Sequence, residues 1–239
     1  MSYLNTKPLL FGIEQSPFKE SIRLSIDYPA KIASMLLLEE IDIGLVPVAI
    51  IPQMKEYHIY TDVCIGSDGP VASVCLFSEV PIDRVENVLL DYQSRTSVQL
   101  AKILLKEYWK VSPKLVEAKA DFRDQIRGTT AAVVIGDRAL EQRNISVYHY
   151  DLGEAWKLHT GLPFVFAAWI SNKKLADEFV QRFNEANKFG LDHLPMVLAA
   201  LPKGIFDLEA YYTKHISYSL TEEKKKGLNL FLEKLLMQV

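Results

Sequence analysis

The sequence predicts an α/β protein of two lobes, and three observations lead there. Up to about residue 170, short apolar runs alternate with stretches whose apolar residues recur every three or four positions, the pattern of helices laid on sheets. Beyond residue 173 the strand-like runs cease and the pattern is helical. Small polar segments containing glycine fall where strands should end, which is where open α/β folds bind ligands.

The runs at 43–46, 88–90, 115–117, 131–135, 147–150 and 164–170 read as short strands. Between them, Ile32, Met35 and Leu36 mark the apolar face of one helix that ends at Glu39 and Glu40. Val98, Ala101, Leu104, Leu105 and Tyr108 mark another. A mostly parallel sheet covered by helices is expected. In the tail, Ser219 with Glu222 fits a capping box opening a last helix, whose buried stripe is Leu228, Phe231, Leu232 and Leu235. A long helical tail needs a surface to pack on, and a return to the first lobe after an inserted second lobe supplies one. Crossings are expected at 76–82, where Pro81 punctuates the chain, and at 164–170. Lobe I is then residues 1–78 with 170–239, and lobe II is residues 79–169. This is the layout of type II periplasmic-binding-protein-like folds, with the ligand cleft between the lobes.

Composition narrows the function. Hydrophobic residues make up 49% and charged residues 24%, the balance of an ordinary folded domain. The 27 basic and 30 acidic residues give a formal charge of −3, without the basic excess that nucleic acid would reward. The mixed run Glu222, Glu223, Lys224, Lys225, Lys226 reads as a solvated helix face. No apolar window reaches the roughly eighteen residues of a membrane span, and no basic segment followed by an apolar stretch opens the chain. No membrane partner and a cytoplasmic location are the expectation. Cys64 and Cys75 read as reduced, buried thiols, and the five histidines lack ligand spacing, so no metal is expected.

Several segments can carry chemistry. Ser2-Tyr3-Leu4-Asn5-Thr6-Lys7-Pro8 reads as an extended piece entering a turn or helix, or simply as a helix cap. Ser67, Asp68, Gly69, Pro70 and Ser73 make a tight turn that also brings amide N–H groups and two hydroxyls together. Ser94, Arg95, Thr96 and Ser97 stand between a strand and a helix, where free N–H groups and a guanidinium fork suit a carboxylate. A plain cap needs one hydroxyl, and this stretch has three around an arginine. Thr160, Gly161, Leu162 and Pro163 precede the second crossing, and Gly136 with Asp137 follows the strand at 131–135. The chain has no G-x-S-x-G, no P-loop and no dinucleotide fingerprint. Residue chemistry alone leaves an anion-binding two-lobed protein, either enzyme or binding module.

Taken in order, Ser2-Tyr3-Leu4-Asn5-Thr6, Ser67-Asp68-Gly69-Pro70-Val71-Ala72-Ser73, Ser94-Arg95-Thr96-Ser97 and Ile135-Gly136-Asp137 resemble the motif set of the chorismate dehydratase (MqnA) family of menaquinone biosynthesis. Tyr150-Asp151-Leu152-Gly153, Trp156 and the stretch from Thr160 to Phe166 add to it, so the resemblance runs to about Trp169. It implies a periplasmic-binding-protein-like fold used as a hydro-lyase on chorismate in the futalosine route, with no metal or organic cofactor. It also implies that Asn5 and Ser73 face the reacting part of the substrate and that Ser94, Arg95 and Thr96 hold a carboxylate. Ser67, Gly69, Ser97, Gly136, Asp137, Thr160, Gly161, Leu162 and Pro163 are expected to line the substrate site. One departure stands out: family members usually carry several residues before the Ser-Tyr-Leu-Asn motif, which here opens the chain. The rival expectation is a non-catalytic binding protein of the same fold for a small carboxylate.

Overall fold

The computed structural model describes residues 3–119, 121–202, 204 and 206–237. A 3₁₀ turn, Leu4–Thr6, runs into α1 (Lys7–Gln15), followed by α2 (Pro29–Leu37), β1 (Ile43–Pro47), β2 (His58–Ser67), β3 (Val74–Ser78) and β4 (Asn87–Leu90). Next come α3 (Thr96–Glu107), β5 (Lys114–Glu117), β6 (Thr130–Ile135), α4 (Asp137–Gln142), β7 (Tyr148–Asp151) and α5 (Leu152–Thr160). The chain closes with β8 (Phe164–Ser171), α6 (Asp177–Asp192), α7 (Leu194–Ala199), α8 (Leu208–Ala210), a π-helical turn (Tyr211–His215), β9 (Ser217–Ser219) and α9 (Glu222–Leu236).

These strands form two sheets, in the orders β1-β8-β2-β9 and β5-β4-β6-β3-β7. Every pair in the first is antiparallel. In the second, β4 runs parallel to β5 and β6, while β3 runs antiparallel to β6 and β7. The expectation of a mostly parallel sheet is therefore corrected. Apolar runs report burial, and direction is set by how the chain re-enters each sheet.

The crossings also move. The chain leaves the first sheet at Ser67 and enters the second at Val74, so a boundary after residue 78 assigns β3 to the wrong half. It rejoins the first sheet at Phe164, so a boundary before residue 170 cuts through β8. Pro81 instead leads a short 3₁₀ turn, Ile82–Arg84. A strand buried on both faces reads alike in either sheet, and β3 is buried at every position.

The tail contains one strand that hydrophobic pattern does not reveal. β9 has only three residues, Ser217, Tyr218 and Ser219, and pairs with β2 at the sheet edge. It is held from below by Lys224, whose buried ammonium donates to Ser217 O (2.5 Å), Ser217 Oγ (2.7 Å) and Ser219 O (2.6 Å). Because Ser219 is taken up in this strand, Thr221 caps α9 by accepting from Lys224 N. Phe231 of α9 packs its ring on Trp156 and Phe164 at 6.2 and 5.0 Å, which seats the tail on both α5 and β8. Burying an aromatic of this kind contributes about 1.5–3 kcal/mol.

Candidate active site

Ser73 stands in a strained turn between β2 and β3. Its N–H donates to Val71 O at 2.8 Å, and Ala72 between them has φ of 63°. A left-handed backbone costs an alanine about 1–2 kcal/mol, so the turn needs an external restraint. Asp151, at the end of β7, supplies it. Its buried carboxylate accepts from Val71 N at 3.0 Å and Ala72 N at 2.7 Å, and also caps α5 by accepting from Gly153 N and Glu154 N. Each such charge-assisted bond contributes about 1.5–3 kcal/mol. The carboxylate of one residue thereby fixes both the turn and the start of the next helix. The Ser73 side chain is itself buried, and its Oγ accepts from the Tyr211 hydroxyl at 2.8 Å.

Asn5 is set by the same part of the molecule. Leu4 N donates to Asp137 Oδ1 at 2.9 Å, while the Tyr212 and Tyr218 hydroxyls donate to Leu4 O (2.7 Å) and Asn5 O (2.8 Å). With its backbone held on both sides, the half-buried Asn5 keeps its side-chain amide free of hydrogen bonds to the described residues. Gly136, at the end of β6, donates to Ser73 O at 2.8 Å, so Gly136 and Asp137 join the two segments. Gly136 has φ of 66°, and a Cβ there would lie 2.6 Å from the Tyr3 ring, so glycine is required on both counts. Four of the residues expected from sequence, Asn5, Ser73, Gly136 and Asp137, converge. The extended piece expected there is corrected: Asn5 lies in the 3₁₀ turn leading into α1. Ser2 of that motif lies outside the described residues.

Burial shifts the ionisation of this cluster. Removal from water pushes the Tyr211, Tyr212 and Tyr218 phenols upward and Tyr3 up to about 12, so all four remain hydrogen-bond donors at neutral pH. Burial also lifts the Asp137 carboxyl, against the opposing effect of the Leu4 N–H.

Ser94, Arg95, Thr96 and Ser97 gather at a neighbouring place. Ser94 Oγ accepts from Ser97 N at 3.1 Å, which is a helix cap. Thr96 Oγ1 accepts from Ala49 N at 3.2 Å, and Arg95 donates to Ser34 Oγ at 2.9 Å, so the start of α3 is tied to the 3₁₀ helix Val48–Gln53 after β1 and to α2. Ser94 and Arg95 line a cavity of about 490 Å³ together with Tyr28, Lys31, Ser34 and Asp91. Asp91 is buried against Arg138 at 2.7 Å, and Arg138 also reaches Gln93, which accepts from the Tyr3 hydroxyl. A chain of polar contacts therefore runs from this cavity to the residue two before Asn5. A larger apolar groove of about 670 Å³ along β1 reaches Tyr3 and Thr6 but neither Asn5 nor Ser73.

The remaining expected residues serve the frame. Thr160 Oγ1 donates to Trp156 O and accepts from Leu162 N, Gly161 closes α5 in a left-handed conformation, and Pro163 O lies against Gly227 of α9. These four terminate α5 and dock it on the tail, and they make no hydrogen bond to Asn5 or Ser73. Ser67 is buried with its Oγ unpartnered among the described residues, and a Cβ on Gly153 would lie 2.5 Å from it and 2.6 Å from Gly69 O. The lack of a side chain at Gly153 thus lets α5 approach Ser67 and Gly69 in the turn. What sequence reasoning missed is Tyr211, Tyr212 and Tyr218. No motif marks them: Tyr211 and Tyr218, seven residues apart, would share one face of a helix, as core residues do.

Fold and site together define a two-lobed α/β protein of the periplasmic-binding-protein-like type, with polar groups from both sheets converging between them. A Candida albicans protein described as exhibiting the generic periplasmic binding protein fold superposes with a TM-score of 0.58 at 14% identity, covering 99% of this chain and 91% of that one. The chain belongs to the menaquinone biosynthesis family, whose profile matches residues 1–236. It is similar to the chorismate dehydratase of Thermus thermophilus, 28% identical over 256 residues that cover 98% of this chain and 92% of the relative. The chorismate dehydratase of Campylobacter jejuni is 23% identical over 242 residues, with 98% and 94% covered.

Proposed function

We propose that this chain is a chorismate dehydratase, a hydro-lyase that removes water from chorismate to give 3-[(1-carboxyvinyl)oxy]benzoate. The observation that carries the reading is the pairing of similarity to two chorismate dehydratases over nearly the full chain with the convergence of Asn5 and Ser73 on one cluster. The substrate has two carboxylates. Arg95, with one N–H on Ser34 and the rest of its fork on the cavity, and the N-terminus of α3 suit one of them.

The reaction takes a proton from a ring carbon and expels the ring hydroxyl, which leaves as water, and the ring becomes aromatic. Aromatisation supplies the driving force. Neither Asn5 nor Ser73 is a base at neutral pH, so in this reading a carboxylate of the substrate takes the proton. Asn5 orients the substrate with its unpartnered amide, and Ser73 hydrogen-bonds the departing hydroxyl. A non-catalytic binding role for the fold has no specific observation in its favour.

The test is incubation of the purified protein with chorismate, following the aromatic product by absorbance and mass. Asn5→Ala and Ser73→Ala are expected to bind chorismate nearly normally and to lose about two to three powers of ten in turnover. The double variant should lose less than the product of the two defects. Full dehydratase activity in both single variants would refute the assignment of these residues, and no product from the wild-type protein would refute the activity.

A further inference from the structure

The tail contributes a hydroxyl to the centre of the candidate site that no sequence motif marks. Tyr211 lies in the π-helical turn after α8, fully buried, and its phenol oxygen is 2.8 Å from Ser73 Oγ. The ring is fixed from two sides, by Phe206 at 6.2 Å and Tyr212 at 5.5 Å between centroids. Tyr212 and Tyr218, close in sequence, spend their hydroxyls on the backbone carbonyls of Leu4 and Asn5. Only Tyr211 meets a side-chain oxygen that the proposed reaction uses.

The Tyr211 hydroxyl is the donor of this bond, and burial keeps its phenol protonated. A serine oxygen that has accepted one bond still owns its hydrogen, and the Ser73 O–H has no acceptor among the described residues. A free serine hydroxyl turns among several orientations, whereas one that accepts a fixed bond has that direction closed to its own hydrogen. Its hydrogen then remains available to a substrate group that reaches Ser73.

We propose that Tyr211 is the positioning residue for Ser73: its hydroxyl, donated to Ser73 Oγ, turns the Ser73 O–H outward as a preset donor to the leaving hydroxyl of the substrate. The inference rests on the dehydratase reading. It goes beyond that reading by giving the C-terminal tail, otherwise a packing element, a direct part in setting the reacting group.

The experiment is the chorismate assay on wild type, Tyr211→Phe, Ser73→Ala and the double variant, with melting curves for each. Tyr211→Phe keeps the ring and removes only the donor. We expect kcat to fall by about tenfold to a hundredfold with KM within about twofold, since a misdirected donor matters more at the transition state than in the bound ground state. In the Ser73→Ala background the same substitution should leave kcat unchanged, because there is no hydroxyl left to direct. A purely structural role would lower kcat to the same degree in both backgrounds and would overturn the proposal. So would an unchanged kcat in folded Tyr211→Phe. Should Tyr211→Phe melt too low to assay, 3-fluorotyrosine at this position keeps ring and hydroxyl while altering the donor. An unchanged kcat in that protein overturns the proposal, and a changed kcat at constant KM supports it. Absence of dehydration by the wild type would instead remove the dehydratase reading and this inference with it, a result that the variant-to-wild-type ratio keeps distinct.

Discussion

Replacing Asp151 by asparagine tests whether one carboxylate holds the Ser73 turn. Its two oxygens have different partners. Oδ1 accepts from Val71 N, Gly153 N and Glu154 N, while Oδ2 accepts from Ala72 N at 2.7 Å, shares Val71 N at 3.1 Å and lies 3.9 Å from the Arg143 guanidinium. An asparagine can keep its carbonyl toward the first three and remain an adequate cap for α5. Its amide NH₂ then faces Ala72 N, donor against donor, at the residue whose φ of 63° most needs restraint. Losing one charge-assisted bond and leaving a buried N–H unsatisfied costs about 2–4 kcal/mol. For a chain of this length each kcal/mol moves Tm by about 2–4 °C, so the expected drop is roughly 5–15 °C. Urea and thermal unfolding of Asp151→Asn measure it directly. Adding Ala72→Gly should return about 1 kcal/mol, because glycine adopts the left-handed backbone without strain. A loss below about 0.5 kcal/mol in Asp151→Asn, or no recovery on adding Ala72→Gly, would show that β2 and β3 hold the turn without the carboxylate.

Two further outcomes are expected. Arg95→Ala should weaken chorismate binding about tenfold to a hundredfold, the worth of a charge-assisted bond, with little change in Tm. Unchanged affinity by calorimetry would reduce Arg95 to its contact with Ser34. Stability should also fall in alkali. Burial raises the Tyr3 phenol to about 12 and pushes Tyr211, Tyr212 and Tyr218 upward, so these groups hold their protons more tightly when folded. Their contribution is complete below the ordinary phenol value near 10 and is lost as pH rises through the folded values. Urea midpoints that stay level from about pH 9 to about pH 12 would contradict this, and Tyr212→Phe should soften the decline.

The α/β class, the approximate place of most strands and helices, and the residues with chemistry to offer are all legible in the order of the amino acids. Local pattern suffices for these: α2 and α3 form where apolar positions recur, and Asn5, Ser73, Gly136 and Asp137 fall at turns and element ends. Which of those residues meet was decided only by the tertiary structure. β3 belongs to the second sheet, and its neighbours β6 and β7 deliver Gly136 and Asp151 to the Ser73 turn, although they lie more than sixty residues away in sequence. Strand pairing is a long-range choice, and a run buried on both faces carries no mark of its partner. The same holds for Thr160 to Pro163, whose motif is conspicuous but whose hydrogen bonds end a helix. Tyr211 is the reverse case. A tyrosine in a helical-looking tail resembles core in one dimension, and it becomes a partner of Ser73 because the chain returns 138 positions later to lay its hydroxyl on that oxygen.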